Sequence, residues 1–185
     1  MVDTPSAGTQ SQNEVGEPRS DYETGLSKDE QLDVRIWLRL LTCANLIEHR
    51  VRKNLRKEFS TTLPRFDVLA QVDRPPDSQP MRELSSRMMV TNGNITPLVD
   101  RLVKDKLIQR DPAPDDRRVQ HVSLTSSGKE ALDKMIPAHN SWVNNLMADL
   151  DRTNASDLYE LLGELKKSIL VAENKLQNNT ANQQD

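Results

Sequence analysis

The 185-residue chain has one cysteine, few aromatic residues and no long apolar run, and each shortage excludes a class of protein. A single thiol, Cys43, cannot form an intramolecular disulfide framework or a zinc site built from several thiolates. Aromatic residues make up 3% of the chain and hydrophobic residues 35%, so the core has to be aliphatic and some apolar surface needs a partner chain. No stretch approaches the ~20 apolar residues that cross a bilayer, and residues 1–25 contain no apolar secretory signal. We therefore expect a cytoplasmic protein without a membrane segment.

The net charge of −3 hides an uneven distribution of charge along the chain. Residues 1–30 carry 2 basic and 7 acidic groups, and residues 126–185 carry 6 basic and 9 acidic groups. The stretch between them, residues 31–125, has a net charge of +5. A basic middle between acidic ends indicates that the middle of the chain meets a polyanion.

The hydrophobic pattern is helical along most of the chain. Residues 1–28 and 177–185 are polar and have no apolar period, so both tails are predicted to be disordered. Apolar residues recur every three or four positions from Leu32 to Leu55, which predicts a long first helix. The pattern then predicts helices over about 64–72, 81–89 and 92–106, a hairpin after Leu107, a helix over about 126–150 and a last helix from about 154.

These elements define the expected fold class, which is mainly α with a small β-hairpin wing. Residues 61–125 are predicted to form a winged helix-turn-helix DNA-binding domain. Residues 29–60 and 126–176 are predicted to form a helical dimerisation domain. In the last helix, apolar residues from Leu158 to Leu176 are spaced 4, 3, 4, 3 and 4 apart, a period typical of a helix–helix seam. An intrachain bundle with the first helix is the alternative to a dimer.

The central block has the apolar spacing of a helix-turn-helix, because residues 84, 90, 95, 98 and 102 can hold two helices at a fixed angle. Short polar side chains then face outward at the start of the second helix: Thr91, Asn92, Asn94 and Thr96. Such side chains suit base edges and phosphates, and a helix N-terminus adds backbone donors for phosphate. A plain αα-hairpin with a polar solvent-facing side is the alternative interpretation.

The hairpin tip favours the DNA-binding interpretation. Its sequence Asp115-Asp116-Arg117-Arg118 places two guanidinium groups at the end of a projecting ribbon, and arginine is the side chain that a narrow minor groove attracts. Asp116 is expected to position the Arg118 guanidinium through a charge-assisted pair. A solvated turn in which four charges neutralise one another is the alternative.

Several short runs resemble the MarR family of bacterial regulators over roughly residues 30–172. They are Arg65-Phe66-Asp67-Val68-Leu69, Glu83-Leu84-Ser85, Val99-Asp100-Arg101-Leu102, Leu107-Ile108-Gln109-Arg110, Asp116-Arg117-Arg118 and Val122-Ser123-Leu124-Thr125-Ser126-Ser127-Gly128. The resemblance implies a homodimeric winged helix-turn-helix repressor whose outer helices form the dimer. By the same resemblance, one helix lies in the major groove and the wing enters the minor groove. The residues that would meet DNA are Thr91, Asn92, Asn94, Thr96 and Arg101 from the helix, and Arg117 and Arg118 from the wing.

Two residues depart from the family pattern. Lys106 stands where a glycine usually follows the recognition helix, and a lysine in a left-handed position costs roughly 1 kcal/mol or more. The usual turn geometry is therefore in doubt here. Pro97 stands where many relatives have a larger polar or basic residue, which removes one base contact.

The resemblance also implies a small-molecule effector. Members of the family respond to anionic aromatic compounds, and residues 65–101 look most like a subgroup that responds to hydroxycinnamates, other aromatic acids or their CoA thioesters. The effector would lie between the dimer helices and the DNA-binding lobe. The other partners that the resemblance implies are a second copy of the chain and double-stranded DNA. The candidate apolar walls are Leu40, Cys43, Ile47, Phe66, Leu69 and Trp142, and the candidate anion partners are Arg39, His49, Arg50 and His139. Each apolar member could instead be a core residue.

Other functions find less support in the residues. Cys43 could sense peroxides, but a cysteine in the apolar middle of a helix is more often an inert small hydrophobe. The three histidines have no metal-ligand spacing, and we expect neither metal nor cofactor. No phosphate loop, nucleophile elbow or paired catalytic carboxylates indicate an enzyme. A protein-interaction module built on the last helix remains the second class, which salt-dependent duplex binding would distinguish from a regulator.

Overall fold

The computed structural model describes residues 32–113, 116 and 118–181, without the side chains of Asn92, Thr180 and Ala181. The predicted disordered segment 1–28 and residues 182–185 lie outside this range. Within it, the elements are α1 (Leu32–Phe59), α2 (Leu63–Val72), β1 (Gln79–Pro80), α3 (Met81–Arg87), α4 (Asn92–Lys104), β2 (Ile108–Pro112), β3 (Gln120–Leu124), α5 (Ser126–Leu146) and α6 (Arg152–Ala181). The predicted fold class, mainly α with a small β wing, is confirmed.

The chain divides into two compact units, Met1–Leu46 and Ile47–Asp185. The described part of the first unit is the N-terminal half of α1. Large apolar side chains are exposed on several sides of this half-helix: Leu32, Val34, Ile36, Trp37, Leu41 and Leu46. Exposed apolar side chains in this number are typical of a helix that another chain segment covers.

The second unit has one aliphatic core, to which most of its helices contribute. Its buried residues are Val51, Leu55, Phe66, Val68, Leu69, Val72, Leu84, Ile95, Val99, Leu102, Ile108, Val122, Leu132 and Met135. Val51 and Leu55 come from the C-terminal half of α1, which therefore packs with the helix-turn-helix. The hydrophobic core therefore extends across the expected domain boundary between residues 60 and 61. The sequence does not show this, because the apolar period along α1 is continuous and does not reveal which turns of the helix enter the core.

The wing is a three-stranded antiparallel sheet in the order β1-β3-β2, rather than the two-stranded hairpin expected. Ile108 pairs with Leu124 and Pro112 with Gln120, while Gln79 of β1 pairs with Val122. Gln79 is fully buried, and its Nε2 donates a hydrogen bond to the Gln71 carbonyl at 2.9 Å. A strand of two residues carries too little alternation to be predicted from sequence.

Helices α3 and α4 both end in a left-handed residue. After α4, the Lys106 N–H donates to the Val103 carbonyl and the Leu107 N–H to the Leu102 carbonyl, both at 2.9 Å. This is a Schellman turn, and Lys106 occupies its left-handed position with a φ of 59°. The usual turn is thus retained although lysine replaces glycine.

Helix α6 is longer than expected and most of it is exposed. It begins after Asp151, whose carboxylate accepts hydrogen bonds from the N–H groups of Thr153 and Asn154 at 2.8 and 3.3 Å. These backbone bonds lower the pKa of the Asp151 carboxyl. The helix continues to Ala181, so residues 177–181 are helical where disorder is predicted; this stretch contains neither proline nor glycine to end a helix.

Candidate nucleic-acid interface

Helix α4 is anchored by apolar side chains on one face. Ile95, Val99 and Leu102 are buried at spacings of four and three residues, which fixes this face against the core. Thr91, Asn94, Thr96 and Arg101 are exposed, as expected for residues that meet DNA, and nothing is described of the Asn92 side chain. Thr96 and Arg101 are five positions apart and therefore lie on different sides of the exposed surface.

Near the start of α4, the exposed face between Thr96 and Arg101 has small side chains. Gly93 lacks a side chain, and a Cβ added there would meet only Thr91 Oγ1, at 4.0 Å. Pro97 lies within the helix without interrupting it, although its missing N–H leaves the Gly93 carbonyl without its usual helical donor. Thr91 is the N-cap residue, and its side chain makes no capping hydrogen bond in the described structure. The first turn of α4 can therefore approach a phosphate or a base edge closely.

The wing is attached to α4 by an ion pair that the sequence does not reveal. Arg110 of β2 lies opposite Val122, and its Nη2 is 2.8 Å from Oδ1 of Asp100 on the exposed face of α4. Arg110 is the less exposed partner, with 27% of its side chain accessible against 55% for Asp100. The pair neutralises the carboxylate that α4 presents on its outer face and links the first wing strand to the helix by charge attraction, since Arg110 Nη2 makes no hydrogen bond within the described residues.

A second contact joins the end of α4, the wing and α5. The Thr125 hydroxyl donates to the Lys106 carbonyl at 2.6 Å and accepts from the Gly128 N–H at 3.0 Å, so it links the turn after α4 to the first turn of α5. A Cβ on Gly128 would lie 1.9 Å from the Leu107 carbonyl oxygen, so only glycine fits. This geometry explains why threonine stands at position 125 and glycine at position 128.

At the wing tip, Asp116 makes a contact different from the one expected. Its Oδ1 accepts a hydrogen bond from the backbone N–H of Arg118 at 2.9 Å, and its carbonyl accepts from the Val119 N–H at 2.9 Å. Asp116 therefore shapes the turn through the backbone rather than pairing with the Arg118 guanidinium. Arg118 is exposed, and Arg117 lies outside the described residues.

Another ion pair fixes the end of α4 against α2. Arg65 Nη2 is 2.7 Å from Asp105 Oδ2. Because Asp105 is the C-cap residue of α4, Arg65 holds the helix end that leads into the left-handed turn at Lys106. Arg65 lies in a run that marks the family resemblance, but its partner was not identifiable from the sequence.

The residues suggested for the effector are divided between the two units. Arg39, Leu40 and Cys43 belong to the first unit, where Cys43 is exposed rather than packed. In the second unit Phe66 and Leu69 are core residues, while His49 and Arg50 are exposed and Ile47, His139 and Trp142 are partly buried.

Aromatic contacts join these second-unit residues. The rings of Phe66 and His139 stack with centroids 4.9 Å apart, and those of Phe59 and Trp142 are 6.1 Å apart at a tilt of 54°. These contacts join α2 to α5 and the end of α1 to α5.

A carboxyl group that the sequence analysis did not single out lies in the same region. The pKa of Asp67 is raised to about 6, chiefly because burial penalises its charged form and next because of the negative charge of Glu48. His139 and Arg52 act in the opposite direction. Arg52 also pairs with Glu48, at 2.6 Å. A carboxyl group of the chain itself therefore interacts electrostatically with His139, at the position suggested for an anionic ligand.

Two other kinds of feature are absent from the described residues. In residues 32–113, 116 and 118–181 no three His, Cys, Asp or Glu side chains are grouped as metal ligands would be. The same residues include no helix with the length and apolar character needed to span a membrane.

Comparisons with known proteins agree with this geometry. Residues 61–119 match the family model described as "MarR family". The chain is 30% identical to an uncharacterized HTH-type transcriptional regulator of Bacillus cereus over 141 residues, which cover 76% of this chain and 92% of that protein. It is also 30% identical over 89 residues to the HTH-type transcriptional repressor YetL of Bacillus subtilis, covering 48% of this chain and 53% of YetL.

Solved structures share the fold. Sco3205, a MarR family transcriptional regulator from Streptomyces coelicolor in complex with DNA, is 25% identical with a TM-score of 0.67, covering 82% of this chain and 91% of that one. A MarR family transcriptional regulator from Silicibacter pomeroyi is 28% identical with a TM-score of 0.66, covering 78% and 99% respectively. The relatives named by these comparisons are regulators rather than enzymes.

Proposed function

The chain belongs to the MarR family of DNA-binding transcriptional regulators, and from this premise we propose that it acts as a homodimeric repressor of a pseudo-palindromic operator. In this proposal α4 enters the major groove of each half-site and the wing arginines, Arg117 and Arg118, enter the adjacent minor groove. The single observation that carries it is the joined geometry of α4 and the wing. The Asp100–Arg110 ion pair links the recognition helix α4 to the first wing strand, so that one duplex can meet both the helix and the wing.

The apolar surface supports a homodimer. The seam of α6 is exposed at Leu158, Leu162, Ile169 and Leu176, and the N-terminal half of α1 is apolar on several sides. Burying such side chains is favourable by roughly 1.5–3 kcal/mol each, and a second copy of the chain supplies equivalent apolar helices. A closed two-fold dimer would present two copies of α4, which would meet half-sites about one helical turn, ~10 bp, apart.

The domain assignment follows from this proposal with one change. Residues 61–125 would bind DNA, and residues 29–60 and 126–176 would dimerise. The C-terminal half of α1, from Ile47 to Phe59, is part of the DNA-binding core as well, because Val51 and Leu55 are buried in it. This half of α1 would therefore transmit conformational changes from the dimer helices to the winged helix-turn-helix.

Release from DNA would be controlled by a small aromatic acid or its CoA thioester. Support for this part comes from the second unit, where the partly buried rings of His139 and Trp142 contact Phe66 and Phe59, and where Arg50 has an exposed guanidinium. A ligand can bind more tightly to a conformation in which the two α4 helices are spaced differently. It then lowers the affinity for DNA by the difference between its own affinities for the two conformations. The alternative of a redox-sensing regulator rests on the exposed thiol of Cys43 alone.

The DNA-binding geometry can be tested with a charge-matched pair of variants. Arg118→Ala removes a wing guanidinium, whereas Arg152→Ala removes another exposed arginine, at the start of α6. In gel-shift titrations against duplexes selected by the wild type, Arg118→Ala should weaken binding about ten-fold or more and Arg152→Ala should not. Equal loss in both variants, or none in either Arg117→Ala or Arg118→Ala, would contradict the wing assignment.

The effector proposal needs a separate measurement. Thermal-shift screening against phenolic acids and their CoA thioesters should raise the melting temperature for a ligand that binds the folded chain. The same ligand should then lower duplex affinity, and Arg50→Ala should reduce both effects. A compound that stabilises the chain but leaves DNA binding unchanged would separate ligand binding from regulation.

A further inference from the structure

The turn between α3 and α4 carries an exposed apolar side chain on a left-handed backbone. Met89 has a φ of 54°, and 89% of its surface is accessible. Its N–H donates to the Ser86 carbonyl and the Val90 N–H donates to the Ser85 carbonyl, each at 3.1 Å. These two bonds close α3 as a Schellman turn, with Met89 at the position that usually takes glycine or asparagine.

Folding gives no reason for methionine at this position. A side chain in the left-handed region is strained relative to glycine, and asparagine tolerates that region better than most residues. An accessible methionine also gains nothing from burial in the core. Ser60 and Lys106, the other non-glycine residues with positive φ in the described chain, are both polar. Residues that break two local preferences at once are found mainly at functional sites.

The location of Met89 indicates what such a function would contact. Thr91, the N-cap of α4, follows two residues later, and Val90 between them is also exposed. The apolar patch Met89–Val90 is therefore continuous with the first turn of α4, the part of the chain assigned above to the major groove. Most groups on base edges in that groove are hydrogen-bond donors and acceptors, whereas thymine presents an apolar C5-methyl group.

We propose that Met89 contacts the C5-methyl group of a thymine in each half-site and thereby determines part of the sequence preference. The inference rests on the proposed major-groove position of α4 and adds an apolar contact to the polar ones already assigned. A flexible, polarizable side chain can follow a methyl group over several base-step geometries. The left-handed turn places it ahead of the helix rather than on the helix face.

The test uses removal of a single methyl group from the DNA. Duplexes would first be selected from a random pool by the wild-type chain, and each thymine of the selected half-site would then be replaced by deoxyuridine. This change removes the C5-methyl group and leaves the hydrogen-bonding groups in place. Burial of one methyl group predicts about a four-fold loss of wild-type affinity at one thymine per half-site, or roughly fifteen-fold when both half-sites carry the change.

Met89→Asn keeps a residue that tolerates the left-handed turn and removes the apolar side chain. This variant should bind the thymine and deoxyuridine duplexes equally well. Ser60→Asn introduces the same residue at another left-handed position, after α1, and removes no apolar side chain, so it should retain the wild-type discrimination.

Each outcome has a distinct meaning. A wild-type chain that is insensitive to deoxyuridine at every selected thymine would overturn the inference. So would Met89→Asn with unchanged discrimination, since another residue would then read the methyl group. A wild-type chain that selects no duplex at all would instead refute the proposed DNA-binding geometry, and the inference with it.

Discussion

Asp67→Asn should stabilise the folded chain at neutral pH, because it removes a charge that the fold disfavours. Burial and the nearby Glu48 raise the pKa of the Asp67 carboxyl from its ordinary value of 3.8 to about 6. That difference corresponds to about 3 kcal/mol in favour of the neutral form. The group is only half-buried, and solvent screening reduces the expected gain to about 1 kcal/mol.

The pH dependence of this gain has a definite sign. The folded chain keeps the Asp67 proton up to about pH 6, whereas the unfolded chain loses it near 3.8. Between these values the folded chain binds more protons, so the contribution of this group to stability falls as the pH rises. The loss of stability caused by ionised Asp67 is complete above the pKa of the folded chain and vanishes below the pKa of the unfolded chain. Asp67→Asn should therefore be more stable than wild type at neutral pH and equally stable in acid.

Urea unfolding at fixed protein concentration measures this difference directly. The wild type and Asp67→Asn would be compared from about pH 4 to about pH 8, the range over which the linkage acts. Asp157→Asn, which neutralises an exposed carboxylate on α6, serves as the charge-matched control. A variant that is no more stable than wild type at neutral pH, or that shows the same difference at every pH, would refute the reasoning.

Three further predictions follow from the contacts around α4. Gly128→Ala should destabilise the fold by about 2 kcal/mol or more and weaken duplex binding, because its Cβ would meet the Leu107 carbonyl at 1.9 Å; an unchanged denaturation midpoint would contradict it. Lys106→Gly should stabilise the chain by about 1 kcal/mol by relieving the left-handed backbone, as urea unfolding can measure. A double-mutant cycle of Asp100→Ala and Arg110→Ala should show a coupling of about 0.5–1 kcal/mol in unfolding free energy, and zero coupling would mean that the pair does not hold the wing.

The elements of this fold could be predicted because their signals are local. The apolar period of α1, the break at the prolines after α2 and the alternation in β3 each lie within a few residues of the chain. Thr91 is the N-cap residue of α4, at the position directly before the apolar pattern of that helix begins. The exposed positions of Asn94 and Arg101 follow from the same helical period.

The contacts of the site could not be predicted, because they depend on register and on relative placement. Nothing in the sequence shows that Arg110 reaches Asp100, since this requires both the pairing of β2 with β3 and the position of α4. The turn at Lys106 was in doubt because residue preference alone disfavours lysine there. Two backbone hydrogen bonds and the packing of Leu107 against the core outweigh that preference.

The most direct test of the proposed function is the number of chains that bind one operator duplex. Light scattering coupled to size-exclusion chromatography would be run on the free chain and on the chain mixed with a duplex selected by it. We expect two chains in the free particle, two chains on each duplex, and binding that weakens steeply with salt. A single chain in solution that leaves the duplex unbound at low ionic strength would contradict the proposal.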